Sequence, residues 1–256
     1  LLYAPNSALS QVGNAISADP AIALKPLRLF NSAYYGLREQ VTSVDHAVVL
    51  LGMKVVQNLV LTAAVFDTFS KGEESLLRHS VATAAAMRVL AENDAAANVS
   101  FDDPAEAFTY GLLHAVGKLI LQQHLPEQYA AVGEAVAGGN KSWAEAEMEV
   151  LGFDHGTVGA RLAQHWKLSP ELCDAIAGHH RLDECEAPSN RPLAALLAVA
   201  DFICYEAGFG AADNVPVRLD DAIWSEAGVT SESLLDAIAE FFDALPDIED
   251  LVQLAA

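Results

Sequence analysis

Residues 142–180 read SWAEAEMEVLGFDHGTVGARLAQHWKLSPELCDAIAGHH, and this stretch decides the fold. Ser142 followed three residues later by Glu145 has the form of a capping box, in which the Ser hydroxyl and the Glu carboxylate satisfy backbone N–H groups reciprocally. Ser169-Pro170 sets a capping hydroxyl ahead of a proline at the first helical position, where a missing N–H costs nothing. Three helices are predicted here, over 143–151, 155–167 and 170–180.

The same signals recur outward from this segment. Asp19-Pro20 and Asp103-Pro104 repeat the cap-then-proline pattern, and Ser43 caps VDHAVVLL, which Gly52 ends. Further helices are predicted over 7–18, 20–32, 44–51, 53–69, 74–93, 104–124, 126–137, 192–207, 220–227 and 231–245. Strand-like alternation is nearly absent, so the chain reads as all-α. Lys71-Gly72 marks a seam between an N-terminal helical lobe, 1–70, and a second helical unit, 71–256, within which Gly138-Gly139-Asn140 is a loop. No internal repeat of fixed period is found.

Composition narrows the classes of function. The 256 residues are 52% hydrophobic, ample for a buried core, and no apolar run reaches the 18 or so residues of a membrane-spanning helix. The longest candidate, VVLLGMKVVQNLVLTAAVF, is broken by Gly52, Lys54, Gln57 and Asn58. The 35 Asp and Glu against 14 Lys and Arg give a formal charge of −21, a field that repels phosphate backbones and anionic lipid heads. VTSVDHAVVLLGMKVVQNLVL has the look of a helix-turn-helix, but it has a single Lys, Lys54, and no Arg, too few for phosphate positioning or guanine readout. Nucleic acid and membrane are therefore excluded as expected partners. Cys173, Cys185 and Cys204 are odd in number and lack metal-finger spacing, which favours a reducing cytoplasm. The chain begins with Leu and has no secretory n-region, and it reads as a trimmed piece of a longer polypeptide.

The chemistry lies in polar groups set into apolar helices. Asp201 occupies PLAALLAVADFICY, a helix apolar on nearly every face, and a buried carboxylate needs a cation, a metal or several donors. The chain offers His79 in LLRHSVATAA, His114 in GLLHAVGK, His155 in GFDHGTVGA, and the pair His179-His180. A lone His is more often a hydrogen-bonded structural residue than a ligand. The order His, then His-x-x-Gly-Lys, then His, then His-His, then Asp, each on its own helix, resembles the HD superfamily, where imidazoles and carboxylates hold one or two divalent metals that activate water against a phosphoester.

The N-terminal stretch LRLFNSAYYGLREQVTSVDHAVVLLG narrows the resemblance, with Asn31-Ser32-Ala33, Gly36 and Leu51-Gly52. Together with AFTYGLLHAVGKLIL, FDHGTVGARLAQHWKLSPELCDAIAGHH and LAVAD in that order, it resembles the HDOD domain, the HD-related output domain of bacterial signalling proteins, over about residues 5–210. The resemblance implies an N-terminal helical lobe packed on an HD-like helical bundle with C-terminal helices. It also implies a metal site of His79, His114, His155, His179, His180 and Asp201. In catalytic HD enzymes the residue after the second His is a metal-binding Asp; here it is Ala115, which removes one hard anionic oxygen and makes the site a vestigial one. The Gly-Tyr-Pro element of the cyclic-di-GMP-cleaving relatives is not found after Lys118.

Lys118 either contacts a phosphate or pairs with Asp201 or a helix carbonyl. Gly117 lets helices approach closely at the site. Trp143 and Trp166 read as core aromatics rather than as a ligand wall. The expected function is a non-enzymatic regulatory output domain acting through another protein or a neighbouring signalling domain. The alternative is a phosphohydrolase of reduced or altered activity, with one divalent metal ion as its cofactor.

Overall fold

The first strong tertiary constraint is the sequence ESLLRHSVATAAAMRVLAE, whose small residues let neighbours approach from every side. It forms the long helix Glu74–Glu92, and thirteen of its nineteen residues are buried. The structure, a computed structural model, describes residues 31, 40, 41, 43–53, 56, 60, 74–93, 97–101, 104–138, 141–210 and 219–255. Among the described residues no β-strand is found, and the fold is all-α. The helices predicted over 7–18, 20–32 and 53–69, the Asp19-Pro20 cap, Ser32, Ala33, Gly36 and the Lys71-Gly72 seam lie wholly or largely outside the described residues.

Numbered in chain order, the helices are α1 Val44–Leu51, α2 Glu74–Glu92, α3 Pro104–Leu113, α4 Val116–His124, α5 Pro126–Ala137 and α6 Trp143–Leu151. They continue as α7 His155–His165, α8 Pro170–Gly178, α9 Arg191–Glu206, α10 Asp221–Ala227, α11 Ser231–Asp243 and α12 Leu245–Ala255. Two 3-10 turns, Leu182–Glu184 and Pro188–Asn190, join α8 to α9.

The predicted caps at Ser43, Ser142 and Ser169 are formed, whereas Asp103 lies outside the described residues. Ser43 accepts from His46 N–H at 3.1 Å to start α1, and Gly52, at φ 82°, closes it. The Ser142–Glu145 capping box is formed, and Ser169 caps α8 with Pro170 next in line. In the N-terminal region Asn31 clasps the backbone of Val41, donating to its carbonyl at 2.8 Å and accepting from its N–H at 2.7 Å.

Five segments depart from prediction: α8 ends at Gly178 rather than 180, α11 ends at Asp243 rather than 245, and three differ as follows. The single helix expected over 104–124 is broken at His114-Ala115: α3 ends at Leu113, Ala115 takes φ −96° and ψ 6°, and α4 starts at Val116. The physical reason is tertiary, since no Gly or Pro marks the break and both flanking helices are buried against different neighbours. The helix over 155–167 stops at His165, and Lys167 then adopts the left-handed φ of 59°. Beyond 245 a further helix, α12, runs to Ala255 and was not expected; Pro246 near its start is compatible with a first helical turn.

The main core joins α2, α3, α8 and α9, with Phe108, Met87, Leu90, Ile176, Leu196 and Leu197 fully enclosed, and α10 to α12 close it from the C-terminal side. A smaller core joins Tyr129, Val132, Val136 and Ala146 of the α5–α6 hairpin to Leu121 of α4. α4 and α7 meet backbone to backbone at Gly117. A Cβ there would overlap the carbonyl oxygen of His155 and stand 2.9 Å from the Gly159 nitrogen. The expectation that Gly117 permits close helix approach is met at that contact. Trp166 packs against the main core, as predicted.

Candidate metal centre

The six predicted ligands are delivered by five different parts of the chain. His79 projects from the middle of α2, His114 from the break between α3 and α4, His155 from the first residue of α7, His179 and His180 from the end of α8, and Asp201 from α9. All six come together, and they do so as two adjacent triads rather than one ring.

In the first triad the ligand atoms of His79, His114 and Asp201 lie within 4.8 Å of one another. His79 Nε2 stands 3.1 Å from His114 Nε2 and 3.1 Å from Asp201 Oδ1, and His114 Nε2 stands 3.6 Å from the same oxygen. In the second, His155, His179 and His180 converge within the same limit, with His180 Nε2 at 3.0 Å from His155 Nε2. The triads touch through the rings of His114 and His179, whose centroids are 5.4 Å apart. Asp201, His79, His114, His155 and His179 are each no more than 2% exposed, and His180 is half-buried.

The proton inventory makes this convergence unusual. His79 Nδ1 faces the Phe209 carbonyl at 3.0 Å, His114 Nδ1 the Gly111 carbonyl at 2.5 Å, and His179 Nδ1 the Ile176 carbonyl at 2.7 Å. His155 Nδ1 faces Glu147 Oε2 at 2.6 Å. The three carbonyls can only accept, as does Glu147 in its ionised form, so a neutral ring carries its proton on Nδ1 and leaves Nε2 as a bare lone pair. Burial favours the neutral ring: it pulls His179 down to about 4 and lowers His114, with Asp201 countering in part for the latter. Burial, joined by the charge of Lys118, takes His155 well down, and burial with the neighbouring His179 and His155 does the same for His180. At Asp201 burial pushes upward, but the facing His114 and His79 outweigh it and hold the carboxyl well below its usual range.

With the rings neutral, electron-rich atoms point at each other, and the depressed carboxyl of Asp201 calls for positive charge facing it. His179 Nε2 and Asp201 Oδ1 are buried without a hydrogen bond, the latter despite its closeness to His79. Orphaned buried acceptors of this kind are what a cation would satisfy, and imidazole nitrogens with one carboxylate are a donor set suited to zinc, manganese or iron. The residues present fit a divalent metal.

Ala115 is fully buried, in a small apolar cluster with Leu76 and Leu119. Lys118 is buried too, its ammonium 5.8 Å from the centroid of Trp143, and it forms no ion pair with Asp201 among the described residues. Trp143 stacks on Tyr129 at 5.3 Å and 20°.

The sequence reading missed the groups that orient ligands: Glu147, the partner of His155, and the carbonyls of Phe209, Gly111 and Ile176, which face His79, His114 and His179. Glu147 carries a usable signal. It lies three residues after Ala144 and four before Leu151, on the apolar stripe of α6, whereas Glu145 and Glu149 are turned to caps and solvent. Phe209 has none, because a backbone carbonyl leaves no mark on residue type.

Comparison with known proteins places the chain. The family model of the HDOD domain matches residues 1–182. The structure is similar to the crystal structure of an HDOD domain protein of unknown function from Geobacter sulfurreducens, with a TM-score of 0.77, 24% identity and coverage of 100% of this chain and 89% of that one. It is similar as well to a candidate phosphohydrolase from Shewanella amazonensis SB2B, with a TM-score of 0.76, 28% identity and coverage of 100% and 90%. A candidate signal transduction protein from Marinobacter aquaeolei VT8 shares the fold at a TM-score of 0.73 and 20% identity, over 99% of this chain and 56% of that one. An uncharacterised protein of Treponema pallidum (strain Nichols) is 26% identical over 77% of the chain, which spans 38% of that protein's length.

Proposed function

The chain belongs to the HDOD domain family, and from that premise we propose that it is a regulatory output domain of a bacterial signalling protein, acting through contacts with a protein partner or a neighbouring domain. In this reading the two triads hold a divalent cation that consolidates the fold, and the protein does not turn over a phosphoester. The observation that carries it is Ala115: at the position where the catalytic relatives have a metal-binding carboxylate, this chain has a buried methyl group seated against Leu76 and Leu119. Five of the six donors are also no more than 2% exposed, which leaves a substrate little approach except past His180. No helix among the described residues is long and apolar enough to cross a membrane. The three cysteines are free and buried, in keeping with a reducing cytoplasm. The net charge of −21 argues against nucleic acid as the partner.

One observation favours a second reading, a metal-dependent phosphohydrolase of altered activity: both triads are complete apart from Ala115, and a candidate phosphohydrolase is 28% identical. A bound divalent cation would supply Lewis acidity and a lowered pKa for its water. His79, His114 and Asp201 would hold it in one triad, His155, His179 and His180 in the other, with Lys118 as a phosphate contact. The deciding experiment is elemental analysis of protein purified without chelator, paired with hydrolysis assays on nitrophenyl phosphoesters and cyclic dinucleotides. Retained metal without turnover is the expected result. Turnover that needs added manganese or iron and disappears in Asp201→Ala would establish the enzyme instead.

A further inference from the structure

The α5–α6 hairpin packs through a small apolar core onto Leu121 of α4, yet a carboxylate sits at its base. Glu147 is fully buried. Its Oε2 accepts from the backbone N–H of His155 at 2.7 Å and faces His155 Nδ1 at 2.6 Å, while its Oε1 accepts from the Tyr129 hydroxyl at 3.0 Å. Tyr129 is held in turn by its stack on Trp143. A buried carboxylate is expensive, and a leucine at this place on the stripe of α6 would extend the hairpin core. Three of the other imidazoles at the centre set their Nδ1 against backbone carbonyls; His155 alone among these four meets a side-chain anion.

We propose that Glu147 is a positioning residue for the second triad: it fixes the proton of His155 on Nδ1, presents a bare Nε2 beside His180, and lends the imidazole negative charge that strengthens it as a ligand for a divalent cation. This rests on the reading that the triads take a metal. A carboxylate behind a ligating histidine sets both ring orientation and basicity, and its loss ordinarily weakens metal binding by about 10–100-fold. Tyr129 completes the device by occupying the second oxygen, so the carboxylate cannot turn away from His155. The α5–α6 hairpin therefore belongs to the centre, and Glu147 is the side chain that reaches a ligand from it.

The test uses the full chain, with zinc and manganese as probes. Imidazole nitrogen NMR on chelator-treated protein reads the tautomer of His155, and competition against a metal indicator reads affinity, in the parent, Glu147→Ala, Glu147→Gln and Tyr129→Phe. The expected parent carries Nδ1–H at His155. Glu147→Ala mixes the tautomers and weakens binding at least about 10-fold. Glu147→Gln, whose amide oxygen still accepts from Nδ1–H, keeps the tautomer but binds more weakly for want of charge; it carries the comparison should Glu147→Ala fail to fold by circular dichroism. Tyr129→Phe shows a smaller loss. A parent with its proton on Nε2, or one that binds metal with an affinity unchanged in both Glu147 variants, overturns the proposal alone. A parent that binds neither metal overturns the metal reading and this proposal with it.

Discussion

At the scale of single residues, Asp201 and Ala115 pull the centre in opposite directions. Asp201 is a buried anion whose only close polar neighbours in the first triad are imidazoles 3.1 and 3.6 Å away. Removing one member of a buried pair strands the other, so Asp201→Ala should lower stability by about 2–5 kcal/mol, measured by urea unfolding; an unchanged midpoint would refute the pairing. Ala115→Asp returns the oxygen donor but places it against Leu76 and Leu119. In chelator the variant should melt below the parent, because an unpaired carboxylate is being buried, and added zinc or manganese should recover the loss and raise metal stoichiometry. A variant that stays destabilised with metal present would mean that the new carboxylate does not reach the triads. The six ligands were legible as residue types because imidazoles and a carboxylate stand out in apolar helices. Their division into two triads was not, since it depends on where α9 passes α2, a contact between positions more than a hundred residues apart.

Among the elements, the C-terminal helices bear on a site to which they contribute no ligand. Phe241 of α11 is fully buried and packs edge-on against Phe209 at 5.9 Å, and the Phe209 carbonyl receives His79. Phe241→Ala should cost about 3–5 kcal/mol by the loss of a large buried ring. It should also weaken metal binding, because the cavity frees Phe209 to shift; a calorimetric titration with zinc checks the second effect independently of the first. The exposed pair Arg78–Glu249, which links α2 to α12, is by contrast a minor contributor at about 0–1 kcal/mol. Helix starts were legible because a Ser, Asp or Pro cap is a local event. The break at His114-Ala115 was not: neither residue there is a Gly or Pro, and the two flanking helices pack against different neighbours.

For the molecule as a whole, the cysteines report integrity. Burial raises the thiol of Cys173, pushes Cys185 up to about 11 and takes Cys204 well above its ordinary value. Iodoacetamide at pH 8 should therefore label the folded chain slowly and modify all three thiols promptly in denaturant, as read by mass spectrometry. The linkage has a definite sign. A thiol harder to ionise when folded stabilises the fold fully below its unfolded pKa, and that contribution fades as pH rises from about 9 toward 11, so urea midpoints should fall across this alkaline window. Stability that rises over the same range would contradict the burial of these groups. The all-α class was legible at this scale from the caps and the missing alternation, whereas the link from the hairpin to the centre was not, because Glu147 looks like one more acid in a chain with 35 of them.

The contact at Gly117 changes how the motif His-x-x-Gly-Lys is to be understood. With the His155 carbonyl in the space a Cβ would take, Gly117 acts as a gauge block: it sets the distance between the wall that bears His114 and the wall that bears His155. A saturation screen for metal retention would score this glycine as unforgiving as the ligands themselves, although it has no atom to offer a cation. Intolerance to substitution within such a motif therefore records spacing as faithfully as it records chemistry, and only the structure tells the two apart.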